Sequence, residues 1–249
     1  MPSSYPPLIE RRARNDGQAH TVIVCEHASN KIPDEFHNLG LSPQTLWTHI
    51  AWDPGAIGVE RGLRQALNAD LVAGSVSRLL YDCNRPPEAS GAMPERSEIY
   101  DIPGNQALSP AEREHRIAAI YLPFRAALAS LLDQYQNGVM ITVHSFTPVY
   151  FGQPRTCEIG VLHDSDERLA TAILEAATPD FPHRLARNVP YSAADGVTHT
   201  LRSAAVARGW LNVMLEIRND LIETADAQAA MAGKLATLLT NAIKNLKVV

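Results

Sequence analysis

The sequence predicts an α/β fold, a three-layer α/β/α sandwich around a mixed, mostly parallel sheet. Three observations carry this. Short apolar runs of strand character alternate with longer segments of helical periodicity along the whole chain. No internal repeat or low-complexity linker divides its 249 residues, so a single domain over 1–249 is expected, with 1–18 a loosely ordered N-terminal arm. The hydrophobic content of 45% is ordinary for a soluble chain of this size, which buries enough core to need no disulfide framework.

The elements follow in order. Strands are expected over 20–28, 70–78, 138–146, 157–163, 183–189 and 210–218, where apolar residues run together. Helices are expected over 55–67, 110–136, 165–176, 199–208 and 224–246. The first helix stops near Asn68, a residue type that tolerates a left-handed cap. The second opens with Ser109-Pro110-Ala111-Glu112, a cap, a first-turn proline and an early acid. The last starts at Thr224, carries Ala and Leu at helical spacing and ends in lysines that suit the helix dipole. Between 86 and 108 the chain is rich in breakers, beginning Pro86-Pro87-Glu88-Ala89-Ser90-Gly91. A loop this long is commonly functional, and an active-site lid is expected.

Composition narrows the partners. A net charge of −5 offers no basic surface for nucleic acid or an anionic membrane. No apolar run approaches the ~20 residues that span a bilayer. The N-terminus lacks the apolar core of a secretory signal. Cys25, Cys83 and Cys157 form no CxxC pair and read as reduced thiols, so a cytoplasmic location is expected. P-loop, GxGxxG and GxSxG signatures are absent.

Two strand-like runs end in histidine: Thr21-Val22-Ile23-Val24-Cys25-Glu26-His27 and Val139-Met140-Ile141-Thr142-Val143-His144. Buried strands deliver side chains to a crevice at their carboxyl ends. His27, Asp53 and His144 supply two imidazoles and a carboxylate, the inventory of a catalytic zinc site with one position left for water. Glu26 and Glu60 are alternative acids, and Asp53 reads equally as a helix cap. Asn84-Arg85, opening the long loop, suits capture of a substrate carboxylate, although Arg85 reads equally as an ion-pair partner of Asp82. Glu216 lies inside an apolar strand with Arg218 two residues on, on the same face. The two read either as a buried pair or as catalytic groups, Glu216 a general base and Arg218 an oxyanion or carboxylate ligand. Arg155 and Tyr191 are further candidates to line a pocket, and Arg155 is the alternative to Arg218 as oxyanion or side-chain carboxylate ligand.

These residues resemble the N-formylglutamate amidohydrolase family. The resemblance runs from Thr21 to Asn241. It rests on Glu26-His27-Ala28-Ser29, Trp52-Asp53-Pro54-Gly55-Ala56, Ser77-Arg78-Leu79-Leu80-Tyr81-Asp82-Cys83-Asn84-Arg85-Pro86, Val143-His144-Ser145-Phe146, Asn188-Val189-Pro190-Tyr191 and Leu215-Glu216-Ile217-Arg218. It implies a zinc-exopeptidase-like (phosphorylase/hydrolase-like) fold, related to zinc carboxypeptidases and aspartoacylases. It also implies Zn(2+) or another divalent transition metal held by His27, His144 and one acid, a carboxylate clamp at Asn84 and Arg85, and Glu216 as base. The expected activity is hydrolysis of the amide bond of a small-molecule N-acyl (N-formyl) amino acid, an acidic one such as N-formylglutamate. The histidine-degradation enzymes of the family carry Pro-His-Ser-Gly where this chain has Glu26-His27-Ala28-Ser29, which leaves the acyl group and the amino acid open. Two other classes fit the same residues: a zinc amidase on a larger peptide or cell-wall substrate, and a non-catalytic carboxylate-binding protein. Assembly into a homo-oligomer is left open.

Overall fold

The computed structural model describes residues 5–12 and 20–246. Its central sheet has seven strands: β1 (Leu8–Glu10), β2 (Thr21–Cys25), β3 (Asp70–Ala73), β4 (Val139–Phe146), β5 (Ile159–Leu162), β6 (Leu185–Arg187) and β7 (Leu211–Arg218). Their spatial order is β1-β3-β2-β4-β7-β5-β6. The pairs β3–β2, β2–β4, β4–β7 and β5–β6 are parallel, while β1–β3 and β7–β5 are antiparallel. The sheet is therefore mixed and mostly parallel, as the alternating pattern predicts. Part of the expected N-terminal arm forms the edge strand β1, with Leu8 opposite Ala73. Residues 1–4 and 13–18 of that arm lie outside the described residues.

Helices cover both faces. α1 (Ala56–Ala66), α4 (Arg168–Ala176) and α5 (Ala225–Asn245) pack one core against the sheet. α3 (Leu122–Leu132) and the turn at 201–205 pack the other. Strand alternation assigns side chains to the two cores. Ile23, Ile141, Val143, Val213 and Leu215 face the first, and Val22, Val24, Met140 and Met214 the second. Each such side chain contributes roughly 1.5–3 kcal/mol by leaving water. No described helix is long and apolar enough to cross a membrane.

The predicted helix over 110–136 is interrupted. α2 (Pro110–Arg116) has the expected Ser109–Glu112 capping box, but Ile117–Tyr121 widens into a π-turn before α3 begins. Pro123, which has no N–H to donate, sits just beyond that turn. The expected helix at 199–208 is likewise a π-turn followed by a 3₁₀ turn.

The breaker-rich segment 86–108 is anchored by two buried polar side chains. Asn105 Nδ2 donates to the carbonyls of Leu79 and Pro94, each at 2.8 Å. Arg116, buried beneath it, donates to Asn105 Oδ1 at 2.6 Å and to the Gly104 carbonyl at 3.0 Å. The segment carries a small ribbon, Arg96–Ser97 against Tyr100–Asp101, whose turn reaches the cavity described next.

Candidate active site

The carboxyl ends of β2, β4 and β7 open into a cavity of about 640 Å³. In β4 and β7, His144 and Glu216 are register partners. Both share the strand face of Met140 and Met214, so the two side chains stand beside each other at the cavity floor. Gly160 of β5 lies opposite Glu216 on its other side. A Cβ there would fall 3.1 Å from the Glu216 Cβ and 2.1 Å from the Val189 carbonyl oxygen.

His27 follows β2. The Asp53 N–H donates to its carbonyl at 3.0 Å, which brings the start of α1 against the strand end. Asp53 does not cap α1: the cap position is Gly55, at φ +81, and a Cβ on it would meet the Ile222 carbonyl at 2.4 Å. Freed from capping, Asp53 turns its carboxylate inward. Its Oδ2 lies 3.2 Å from His27 Nδ1 and 2.9 Å from His144 Nδ1, and the two nitrogens are 3.1 Å apart.

This triangle matches the face of a metal site. Ligands held about 2.0–2.1 Å from a tetrahedral zinc lie roughly 3.3 Å from one another. The far side of each imidazole is turned to an acid: His27 Nε2 is 2.7 Å from Asp82 Oδ1, and His144 Nε2 is 3.2 Å from Glu26 Oε2. A proton kept on each Nε2 leaves both Nδ1 lone pairs directed at one point together with Asp53, the orientation that metal-bound histidines take. Of the three candidate acids, Asp53 joins the histidines. Glu26 stands behind His144. Glu60 is fully buried on α1 beside Cys25, without a hydrogen-bond partner for its carboxylate oxygens among the described residues.

Electrostatics follow from this packing. Burial and Arg78 both work against a charged His27, but Asp82 and Asp53 outweigh them and raise its pKa. His144 is raised further, with burial again overcome, by Glu26 and Asp53. Asp53 resists its own burial and is pulled well below the carboxylate range by the two histidines. Glu216, 5% exposed and with Oε2 unpartnered, is pushed up to about 7 by burial, with Asp53 adding to the shift. A carboxyl poised there exchanges protons readily at neutral pH.

The remaining predicted residues divide. Arg85, Arg155 and Tyr191 line the cavity. Asn84 reaches its wall but its amide is used by the backbone: Oδ1 accepts from the Thr200 N–H at 3.0 Å and Nδ2 donates to the Val197 carbonyl. Its second Nδ2 hydrogen is the donor left to turn towards a substrate. Arg218, in contrast, is not among the residues that line the cavity. It ends β7 and turns away from the cavity, donating to Asp220 at 2.8 Å and to the Arg155 carbonyl at 3.2 Å. It does not pair with Glu216.

Two functional partnerships were not foreseen. Arg78 donates to Asp82 at 2.6 Å and to Asp53 at 3.4 Å, tying together the acids that flank His27. Asp82 thereby pairs with Arg78 and His27, not with Arg85. The only sequence signal is an Arg and an Asp four residues apart in a segment that is not helical.

Comparison with known proteins now has a site to refer to. A model of the N-formylglutamate amidohydrolase family matches residues 19–223. The gene product Atu2144 of Agrobacterium tumefaciens shares 47% identity, covering 98% of this chain and 97% of its own, with a TM-score of 0.94. The N-formylglutamate amidohydrolase of Ralstonia eutropha JMP134 has the same fold at 18% identity, covering 98% of this chain and 100% of its own, with a TM-score of 0.69. No curated protein matches the chain. The matched span takes in β2 to β7 and all three corners of the triangle, and the chain belongs to the N-formylglutamate amidohydrolase family.

Proposed function

We propose that the protein is a metal-dependent amidohydrolase that cleaves the amide bond of a small, acidic N-acyl amino acid, with N-formylglutamate the first compound to test. Family membership supports amide hydrolysis. The observation that carries metal dependence is the triangle of His27 Nδ1, His144 Nδ1 and Asp53 Oδ2, with His27 Nε2 bonded to Asp82 and His144 Nε2 facing Glu26 at 3.2 Å. A zinc ion or another divalent transition metal, when bound there, supplies Lewis-acid polarisation of the acyl carbonyl and acidifies water.

The chain's own residues do the rest. Glu216 accepts the proton of the attacking water and returns it to the leaving nitrogen, a role that its pKa near 7 supports. Asp82 and Glu26 fix the tautomers of His27 and His144. Arg78 holds Asp53 and Asp82 in place. Arg85, with no carboxylate partner among the described residues, holds the amino-acid carboxylate. Tyr191 and Arg155 line the same cavity.

The test is hydrolysis of N-formyl- and N-acetyl-amino acids by protein stripped with a chelator and then reloaded. Turnover lost on stripping and restored by one equivalent of metal is expected. Full activity in metal-free protein overturns the metal role. Stoichiometric binding of these compounds without turnover, metal present, makes the protein a carboxylate binder.

A further inference from the structure

Arg85 rests on an exposed turn. Residues Ala193–Asp195 form a 3₁₀ turn, closed by Gly196 in the left-handed region at φ +69. Arg85 Nη1 donates to the Asp195 carbonyl at 2.7 Å. Asn84, beside it, grips the chain just beyond, at the Val197 carbonyl and the Thr200 N–H. Asn84, Arg85, Asp195 and Val197 all line the cavity. Both residues at the clamp position are therefore tied to the segment 195–200.

The approach at Gly196 is close. A Cβ there would stand 2.6 Å from Arg85 Nη1, and apart from its chain neighbours only Arg85 lies within 4 Å of it among the described residues. Ala193 to Gly196 are exposed, so a side chain at 196 disturbs no core. What it displaces is the mobile end of Arg85. The turn also withholds a competitor. Asp195 has a carboxylate that could neutralise Arg85, but its Oδ2 accepts from the Ser192 N–H at 2.8 Å and from the Ser192 hydroxyl at 3.1 Å. Arg85 receives the Asp195 carbonyl instead, which orients the guanidinium without cancelling its charge. Fixed at one corner, the guanidinium keeps its other N–H groups for a ligand carboxylate.

Resting on the reading of Arg85 as the ligand of the substrate carboxylate, we infer that Gly196 is a positioning residue for substrate binding: its bare Cα and left-handed backbone form the seat that holds the Arg85 guanidinium in place. The seat acts on capture of the substrate and not on the metal or on proton transfer at Glu216.

The experiment compares Gly196→Ala with Gly209→Ala on metal-loaded enzyme, with N-formyl-L-glutamate as substrate. Gly209 has the same backbone, at φ +70, but nothing lies within 4 Å of a Cβ built on it, so it carries the strain without the clash. Gly196→Ala is expected to raise KM by about 10- to 100-fold, the worth of a charge-assisted hydrogen bond, with kcat and bound metal unchanged. Gly209→Ala should leave KM where it is. Gly196→Asn brings the same Cβ in a residue type that tolerates the left-handed region, and should reproduce the shift. In Arg85→Met, which has already lost the guanidinium, adding Gly196→Ala should raise KM no further. An unchanged KM in Gly196→Ala or Gly196→Asn, or a rise that persists in the Arg85→Met background, overturns the inference and leaves the amidohydrolase reading standing. An unchanged KM in Arg85→Met alone overturns the carboxylate role of Arg85 and the inference together. If no N-acyl compound is turned over, the amidohydrolase reading fails. Calorimetric titration with N-formyl-L-glutamate then decides the seat: binding weakened by Gly196→Ala and not by Gly209→Ala supports it, and equal binding overturns it.

Discussion

Strand β2 is bracketed by two buried histidines that have opposite fates. His20, just before it, is 4% exposed, and His27, just after it, is 3% exposed. His20 Nε2 lies 3.3 Å from a single carboxylate, Asp70, and its ring stacks on Tyr135 at 3.5 Å. Burial, helped by Arg12 and Arg11, outweighs Asp70 and lowers its pKa to about 4, so it is a neutral packing residue. At the other end, Asp82 and Asp53 outweigh burial and the pKa rises. Burial of a histidine is therefore not what marks a ligand. The mark is a convergence of carboxylates on it beyond what the local cations balance, placed at the carboxyl ends of parallel strands.

That contrast can be broken by mutation. The largest effect is expected at the triangle: His144→Ala should lose both stoichiometric metal and turnover, measured by elemental analysis and by amide hydrolysis. The matching change at the quiet end, His20→Ala, should keep both and cost about 1–3 kcal/mol of stability in chemical denaturation, the price of an unsatisfied buried partner. Loss of metal in the His20 variant would erase the distinction between the two ends.

Next in size is Glu216→Gln. It should lower kcat by roughly 10²- to 10⁴-fold with metal retained. The pH profile sharpens the assignment. Glu216 must be ionised to accept a proton, and burial raises its pKa to about 7, so kcat/KM should fall as pH drops through that region. A bound cation favours the carboxylate and shifts this limb to lower pH. The limb should vanish in the Gln variant, and its persistence there would assign it to another group.

Asp82→Ala should weaken metal affinity by about 10- to 100-fold, read by competition with a chromophoric chelator, because His27 loses the acceptor that orients it. Smallest is Arg218→Ala. It is expected to raise KM less than about tenfold through the loosened Arg155 carbonyl, with kcat unchanged. A large fall in kcat would return Arg218 to the catalytic groups.

Much of this site is legible from sequence because strands report their own ends. The runs before His27 and His144 are apolar and β-branched; β2 stops at Cys25, just short of His27, and β4 carries His144 and runs on to Phe146. Glu216 stands out because a lone acid in such a run needs a reason. The acid in the triangle was left open because Asp before Pro-Gly-Ala looks like a helix cap. Only the left-handed Gly55 at the cap position shows that Asp53 is free of that task. Local sequence does not reveal that Asn84 also bonds the backbone of Val197 and Thr200, more than a hundred residues away. Arg218 misled because period two fixes a face inside a strand but not where a long side chain turns at its last residue. The break after α2 comes from π-turn packing that helical periodicity does not resolve.

The central claim is that His27, Asp53 and His144 hold one metal ion together. Anomalous diffraction at the zinc edge, on crystals of zinc-loaded protein, tests it most directly. The account predicts one strong peak about 2.0–2.1 Å from His27 Nδ1, His144 Nδ1 and Asp53 Oδ2, with Glu26 and Asp82 still against the far nitrogens. A peak bound instead by Glu26 or Glu60, or no peak in protein that turns over substrate at full rate, would contradict it.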